Sequence, residues 1–337
     1  MSIRTFRCLR PWALLLVLPA LPCVATPSLP EPALLWQATG FSAPESVVYD
    51  ADRDLFYVSN MGTHGEGAAP GDGFISRLDG EGRILDLQWV QGLQNPKGLA
   101  LANGRLYVGD DDALVEIDLE HGAIVARRWP RDGGPGQFND CTADAAGNVY
   151  VYSRRLATIY RLSPEGFTPW VEVDVENSGH FNGLRADGER LLAGSWEVPT
   201  TGKAGHLSTF DLADGHAGRI GDAPIGHIDG IEPDGRGGWT VTDFSPGRLL
   251  HVAADGTVTE LLVLMPGTAD PLYLPERQLL RVPLLRNNRL LAFRWAPGEE
   301  ASDEEASDET VPDAPVPEEA VPEEAVPEEA APDDGAP

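Results

Sequence analysis

Residues 136–153 read "GQFNDCTADAAGNVYVYS". The closing "VYVYS" has the β-branched and aromatic content of a buried strand. Asn139 and Asp140 stand a few residues before it, and both are poor strand residues and common turn residues. Such a pair is either a hairpin corner or a set of donors held for a ligand. One copy does not decide between the two, and the chain holds more copies.

Residues 44 onward read "PESVVYDADRDLFYVSN", and residues 96 onward read "PKGLALANGRLYVGD". "FNDCTADAAGNVYVYS" begins at 138, "FNGLRADGERLLAGS" at 181, "IDGIEPDGRGGWTVTD" at 228 and "TADPLYLPERQLLRVPL" at 268. Each copy has a special residue in second position, then a short strand, a turn about five residues on, and a stronger strand. Asp50, Asp144, Asp187 and Asp234 mark four of the turns. The second positions are Glu45, Lys97, Asn139, Asn182, Asp229 and Ala269, separated by 52, 42, 43, 47 and 40 residues. Further strands such as "ATIYRLSPEGFTPWVEV" fill each interval, and helical periodicity is nearly absent. Six units of four antiparallel strands at this period predict an all-β, six-bladed β-propeller. The sixth unit offers only three strands. "ALLWQATGF" at 33–41 supplies the fourth, closing the ring and covering an open edge.

In a propeller the first strand of each blade lines the central channel, so one register position in every blade points at one axis. Glu45, Asn139, Asn182 and Asp229 then converge as oxygen donors, with Lys97 and Ala269 completing the ring. Such a group is costly to bury unless something satisfies it. A hard cation does so: Ca²⁺, or another divalent cation, accepts Asp and Glu carboxylates and Asn carbonyls. No His or Cys shares the register, which disfavours zinc and copper. On this reading Asn139 is an axial donor, and Asp140, one residue out of phase, points away into its blade. Asn182-Gly183 and Asp229-Gly230 are each ordinary turn dipeptides taken alone. The shared register makes them a site.

The ends of the chain read differently. Arg4, Arg7 and Arg10 precede the short apolar run "WALLLVLPALPCVA", and Cys23 and Ala25 stand before Thr26. Residues 1–25 thus form a secretory signal peptide, too short for a membrane anchor of roughly 20 apolar residues. The mature chain is expected to be periplasmic or secreted, with no stable membrane insertion. It keeps one cysteine, Cys141, and hence has no intrachain disulfide. From Glu299 onward there are sixteen Asp or Glu and no Lys or Arg, with "VPEEA" repeated three times. Residues 299–337 are predicted to be a disordered acidic tail, suited to cations or basic partners and otherwise solubilising. Setting aside the tail's −16 and the leader's +3 from the total of −28 leaves −15 for the propeller, residues 26–298. Such a surface repels nucleic acid and anionic lipid and suits a cation-binding protein. The expected partner is a small-molecule substrate.

"PESVVYD", "FNDCTAD", "FNGL" and "IDGIEPD" together resemble the signatures of the SMP-30/gluconolactonase/LRE family, over about residues 35–296. The resemblance implies one divalent ion, usually calcium, in the channel. Its ligands would be Glu45, Asn182 and Asp229, with Asn139 contacting substrate or the water beside the ion. Phosphotriesterase-type propellers use the same four positions. Sugar-lactonase members commonly carry Arg two residues before the Asn of "FND", where this chain has Gln137.

The function expected is metal-dependent hydrolysis of a lactone or ester. Asp229 is the candidate base or water-orienting carboxylate. Asn139 and Lys97 are candidate substrate contacts, and Lys97 is alternatively a counter-charge to Glu45 and Asp229. His180 and His227, two residues before proposed ligands, are candidate bases or rim residues. Cys141 is expected to be buried, and the Gly-rich stretch at 61–73 to form a loop over the channel mouth. Two other readings use the same residues: a ligand- or protein-binding propeller with a structural ion, and a phosphotriesterase-like hydrolase.

Overall fold

Strands at the centre of the fold are buried on both faces, and those at its edge are half exposed. "VYVYS" at Val149–Ser153 and "WTVTD" at Trp239–Asp243 are buried throughout, whereas Ala33–Thr39 and Val258–Val263 alternate with solvent. The computed structural model describes residues 29–63 and 71–297. These belong to one of the chain's two units. The other, Ser302–Pro337, lies outside the described residues, as do the proposed signal peptide and acidic tail.

Six four-stranded antiparallel sheets follow one another along the chain. Their first strands are Pro44–Asp50, Leu99–Ala102, Phe138–Ala143, Phe181–Asp187, Ile228–Pro233 and Leu272–Leu274. Neighbouring first strands touch in a closed cycle, from blade one through blade six and back. This is the six-bladed propeller. Blade four carries an extra two-stranded ribbon, Glu197–Val198 with Lys203–Ala204. Regular α-helix among the described residues is a single turn, Val175–Ser178.

Blade six is completed as expected. Ala33–Thr39 pairs antiparallel with Arg289–Arg294, from Ala33 opposite Arg294 to Thr39 opposite Arg289. Apolar clusters fill the gaps between blades, including Val47, Phe56, Leu78, Leu272 and Leu290 where blade six meets blade one. Arg281 latches that joint. Its guanidinium is buried, lies 3.4 Å from the Phe56 ring centroid and 4.6 Å from that of Trp36, and donates to Gly80 O at 3.1 Å. Burial pushes Arg281 down to about 9. A cation held mainly by aromatic faces joins the closing strand, blade six and blade one in one contact.

Three of the four predicted turn residues behave as read. Asp50, Asp144 and Asp234 accept backbone N–H groups two residues on, at 3.1, 2.9 and 2.6 Å. Asp187 differs, accepting the indole N–H of Trp239 at 3.0 Å across the blade boundary.

Because Trp36 is the aromatic anchor of the closing strand, Trp36→Ala should cost about 3 kcal/mol in urea unfolding. Val125→Ala, on an exposed outer strand, should cost less than about 0.5 kcal/mol. Equal effects would show that closure at Trp36 contributes nothing special.

Candidate metal centre

The first strand of each blade begins with an irregularity. In blade three Phe138 pairs with Ser153 and Cys141 with Val151, so three steps on one strand answer two on the other. The same extra residue occurs at Pro44/Val47, Phe181/Gly183 and Ile228/Ile231. In blade two, Lys97 N donates to Gly109 O and Gly109 N to Gly98 O, so two residues face one. These are β-bulges, which re-aim a side chain at the cost of one ladder position. Asn139 is therefore no hairpin corner. It sits in a bulge, as do Glu45, Asn182 and Asp229.

Two of the bulged residues meet directly. Asn139 Nδ2 donates to Asn182 Oδ1 across the boundary of blades three and four. Glu45, Asn139 and Asp229 are 5%, 6% and 3% exposed. Glu45 Oε2, Asn139 Oδ1 and Asp229 Oδ2 are all buried without a hydrogen-bond partner. Burial, then the charge of Asp229, push Glu45 well above the usual carboxylate range, with Lys97 pulling the other way. Burial and the charge of Asp270 raise Asp229 likewise. Among the described residues no three His, Cys, Asp or Glu are placed to share a metal ion. The set is two carboxylates completed by amide oxygens, the donor type of a hard cation. Three orphaned buried oxygens fit such an ion.

Asp140 does not point into its blade. Its carboxylate spans three inner strands: it accepts Cys141 N at 2.7 Å and Leu184 N, in blade four, at 2.5 Å, and lies where a Cβ on Gly98 of blade two would stand. The bulge breaks the two-residue alternation, so consecutive residues 139 and 140 both face inward. Asp270, which the repeat alignment passed over beside Ala269, is the counterpart in blade six. It accepts Ser46 Oγ–H at 2.7 Å, and its N–H donates to Glu45 O at 3.0 Å. Burial, then the charges of Asp270 and Glu45, raise Asp140 well above the usual carboxylate range, and burial, then the charge of Glu45, raise Asp270 likewise. The glycines of "NG" and "DG" are explained here too. A Cβ on Gly183 would strike Asp229 O, and one on Gly230 would strike Asp270 Oδ1. The inner ring is too narrow for side chains at these positions.

Lys97 Nζ is bound to Asp111 Oδ1 at 2.7 Å within blade two, a partner the sequence did not suggest. His180 Nδ1 lies 2.8 Å from Tyr152 Oη, and burial with the charge of Arg154 lowers its pKa. His227 rests on Trp196, ring centroids 5.0 Å apart. Cys141 is buried with Sγ 3.2 Å from Gly98 O, and burial raises its thiol, so it is inert. Of the Gly-rich stretch, 64–70 lies outside the described residues. Its start, Met61, donates its N–H to Ala43 O, two residues before Glu45.

The fold has solved relatives. A gluconolactonase from Xanthomonas campestris superposes with a TM-score of 0.60 at 15% identity, over 83% of this chain and 99% of that one. The fold is that of a gluconolactonase-like propeller. A second structure, a putative gluconolactonase, gives 0.59 at 16% identity over 79% and 92%. Virginiamycin B lyase from Staphylococcus aureus gives 0.54 at 9% over 77% and 98%. No family model matches the sequence, and no curated protein matches it.

Two predictions follow from the buried carboxylates. A carboxyl raised on folding stabilises the fold at low pH and loses that contribution as pH rises through its folded value. Chelator-treated protein should therefore lose stability as pH climbs past the ordinary carboxylate range, and any rise in Tm on adding calcium should grow over the same climb. A calcium increment independent of pH would contradict this. Asp140→Ala removes the acceptor of two buried N–H groups, one of them across the boundary of blades three and four. Calorimetry should show calcium affinity falling by roughly tenfold or more.

Proposed function

We propose that the protein is an exported hydrolase of lactones that depends on a divalent cation, calcium by donor type. The observation that carries this is the set of three buried, unpaired oxygens on Glu45, Asn139 and Asp229, with Asn182 hydrogen-bonded to Asn139. Bound there, the cation would polarise the substrate carbonyl and favour charge developing on its oxygen. The chain's own residues supply the rest. Asp229 presents its unpaired Oδ2 to the channel, where it orients an attacking water and takes its proton. The water oxygen bonds to the carbonyl carbon, the ring C–O bond breaks, and the proton passes to the departing ring oxygen. One water is consumed and a hydroxy acid is formed. Asn139 lies beside Asn182 with its own oxygen free to hold the ion or the substrate. Lys97, held by Asp111, tempers the negative field on Glu45.

The likeness to gluconolactonases supports this reading through the fold, and the four donors support it through chemistry. Export is part of the proposal, resting on the leader at 1–25, and mature protein should begin near Thr26 on N-terminal sequencing. Retention of Met1 would overturn that part.

The test is a panel of lactones and organophosphates on metal-stripped, then calcium-loaded, protein. Lactone turnover should appear only with the ion. Asp229→Ala should abolish both turnover and the calcium-dependent rise in Tm. Asn139→Ala should lower kcat by about 10²-fold or more while weakening calcium less. Identical melting with chelator and calcium would remove the ion, and the lactonase with it. A calcium shift without turnover on any lactone or phosphoester would instead assign a binding propeller.

A further inference from the structure

The rim above the ring of donors is divided into an apolar and a polar part. The residue that follows the second strand is Met61 in blade one, Trp196 in blade four, Phe244 in blade five and Leu285 in blade six. Their N–H groups donate inward to Ala43, His180, His227 and Gly267, each two residues before a ring position, at 2.8–3.1 Å. Trp196 and Phe244 have ring centroids 5.3 Å apart. Phe244 and Met61 pack on buried Ala43, Ala269 and Leu285. Ala269 is itself the ring residue of blade six. Apolar side chains thus follow the second strand in four consecutive blades, with the His227 imidazole against Trp196 and the Arg286 guanidinium over Phe244 as the polar groups beside them. The polar part occupies the other two: Asn95, Lys97 and Asp111 in blade two, Gln137 and Arg154 in blade three.

A polyhydroxylated lactone needs a hydrogen-bond partner for each hydroxyl it buries, and an unpaired hydroxyl against this arc would be desolvated at a cost. A hydrocarbon group gains from the same surface. Trp196, Phe244 and Met61 are only partly buried, so a ligand can still cover them. We infer that the substrate is a lactone bearing an alkyl chain, with its carbonyl at Glu45, Asn139, Asn182 and Asp229 and its chain along Trp196, Phe244, Leu285 and Met61. The inference rests on the hydrolase reading and assigns its substrate class. Trp196 and Phe244 are then specificity determinants, and they do not touch the reacting atoms.

Two measurements test it separately. On calcium-loaded protein, kcat/KM is compared for δ-decalactone, δ-valerolactone and glucono-δ-lactone. Each methylene covered by the arc is worth roughly fourfold, so δ-decalactone should exceed δ-valerolactone by at least about tenfold, with glucono-δ-lactone poorest. Trp196→Gln should collapse that ratio toward one, and Trp196→Phe should restore most of it. Phe244→Ser is a second variant should Trp196→Gln fold poorly. Calorimetry with 2-pentylcyclopentanone and cyclopentanone, which do not hydrolyse, reads the arc without turnover. The alkylated ketone should bind roughly tenfold more tightly, with a negative heat-capacity change, and lose that advantage in Trp196→Gln. Equal binding of the two ketones, or a preference for glucono-δ-lactone, overturns the inference and leaves the hydrolase reading intact. Preferred binding of the alkylated ketone with no lactone hydrolysed supports the apolar arc and overturns the hydrolase reading.

Discussion

Everything at the centre of this propeller depends on one backbone device, the bulge that opens each first strand. Six strands meeting at an axis leave little room for side chains, as Gly98, Gly183 and Gly230 show. A regular strand would send alternate residues into the gaps between blades, where the apolar clusters lie. The bulge breaks that alternation once per blade and turns a pair of neighbours inward. The upper residue of each pair forms the ring of Glu45, Asn139, Asn182 and Asp229. The lower residue is glycine where space is shortest, and in opposite blades three and six it is Asp140 and Asp270.

The price of this arrangement is a core of like charge. Glu45, Asp229, Asp140 and Asp270 are all raised by burial and by one another, with Arg185 and Lys97 the nearby cations. Asp140 and Asp270 are supported by an N–H and a hydroxyl donor from neighbouring blades, and Asp140 also by the N–H of Cys141 on its own strand, so part of their charge is answered by the scaffold. Glu45 Oε2, Asn139 Oδ1 and Asp229 Oδ2 are not answered in this way. Scaffold and site therefore divide the same axis between them, one layer holding blades together and the next left open for chemistry.

Most of the fold was legible because repetition amplifies weak signals. No single Asn-Gly or Asp-Gly says more than "turn", yet six copies in register gave the blade number and the strand that closes the circle. What failed to show was local geometry. A bulge is written in Asn, Asp and Gly, the same residues that write a turn, so the sequence does not show that Asp140 faces inward. Asp270 stands beside Ala269, a ring position with no polar side chain to mark it. The Lys97–Asp111 pair and the Arg281 latch join residues distant along the chain or paired through loops. No periodicity reports such contacts.

The closing strand has a further consequence for how the chain can be handled. Ala33 stands opposite Arg294, so the two ends of the folded body lie side by side in one blade, at the end of the strands away from the mouth. Joining them by a short linker would make the polypeptide a circle with little strain. The chain could then be cut in a connection between two other blades, and every blade would be built from consecutive strands. Such a permutant would separate two things the natural order combines: the stability of the ring, and the need to bring its first strand back to its last.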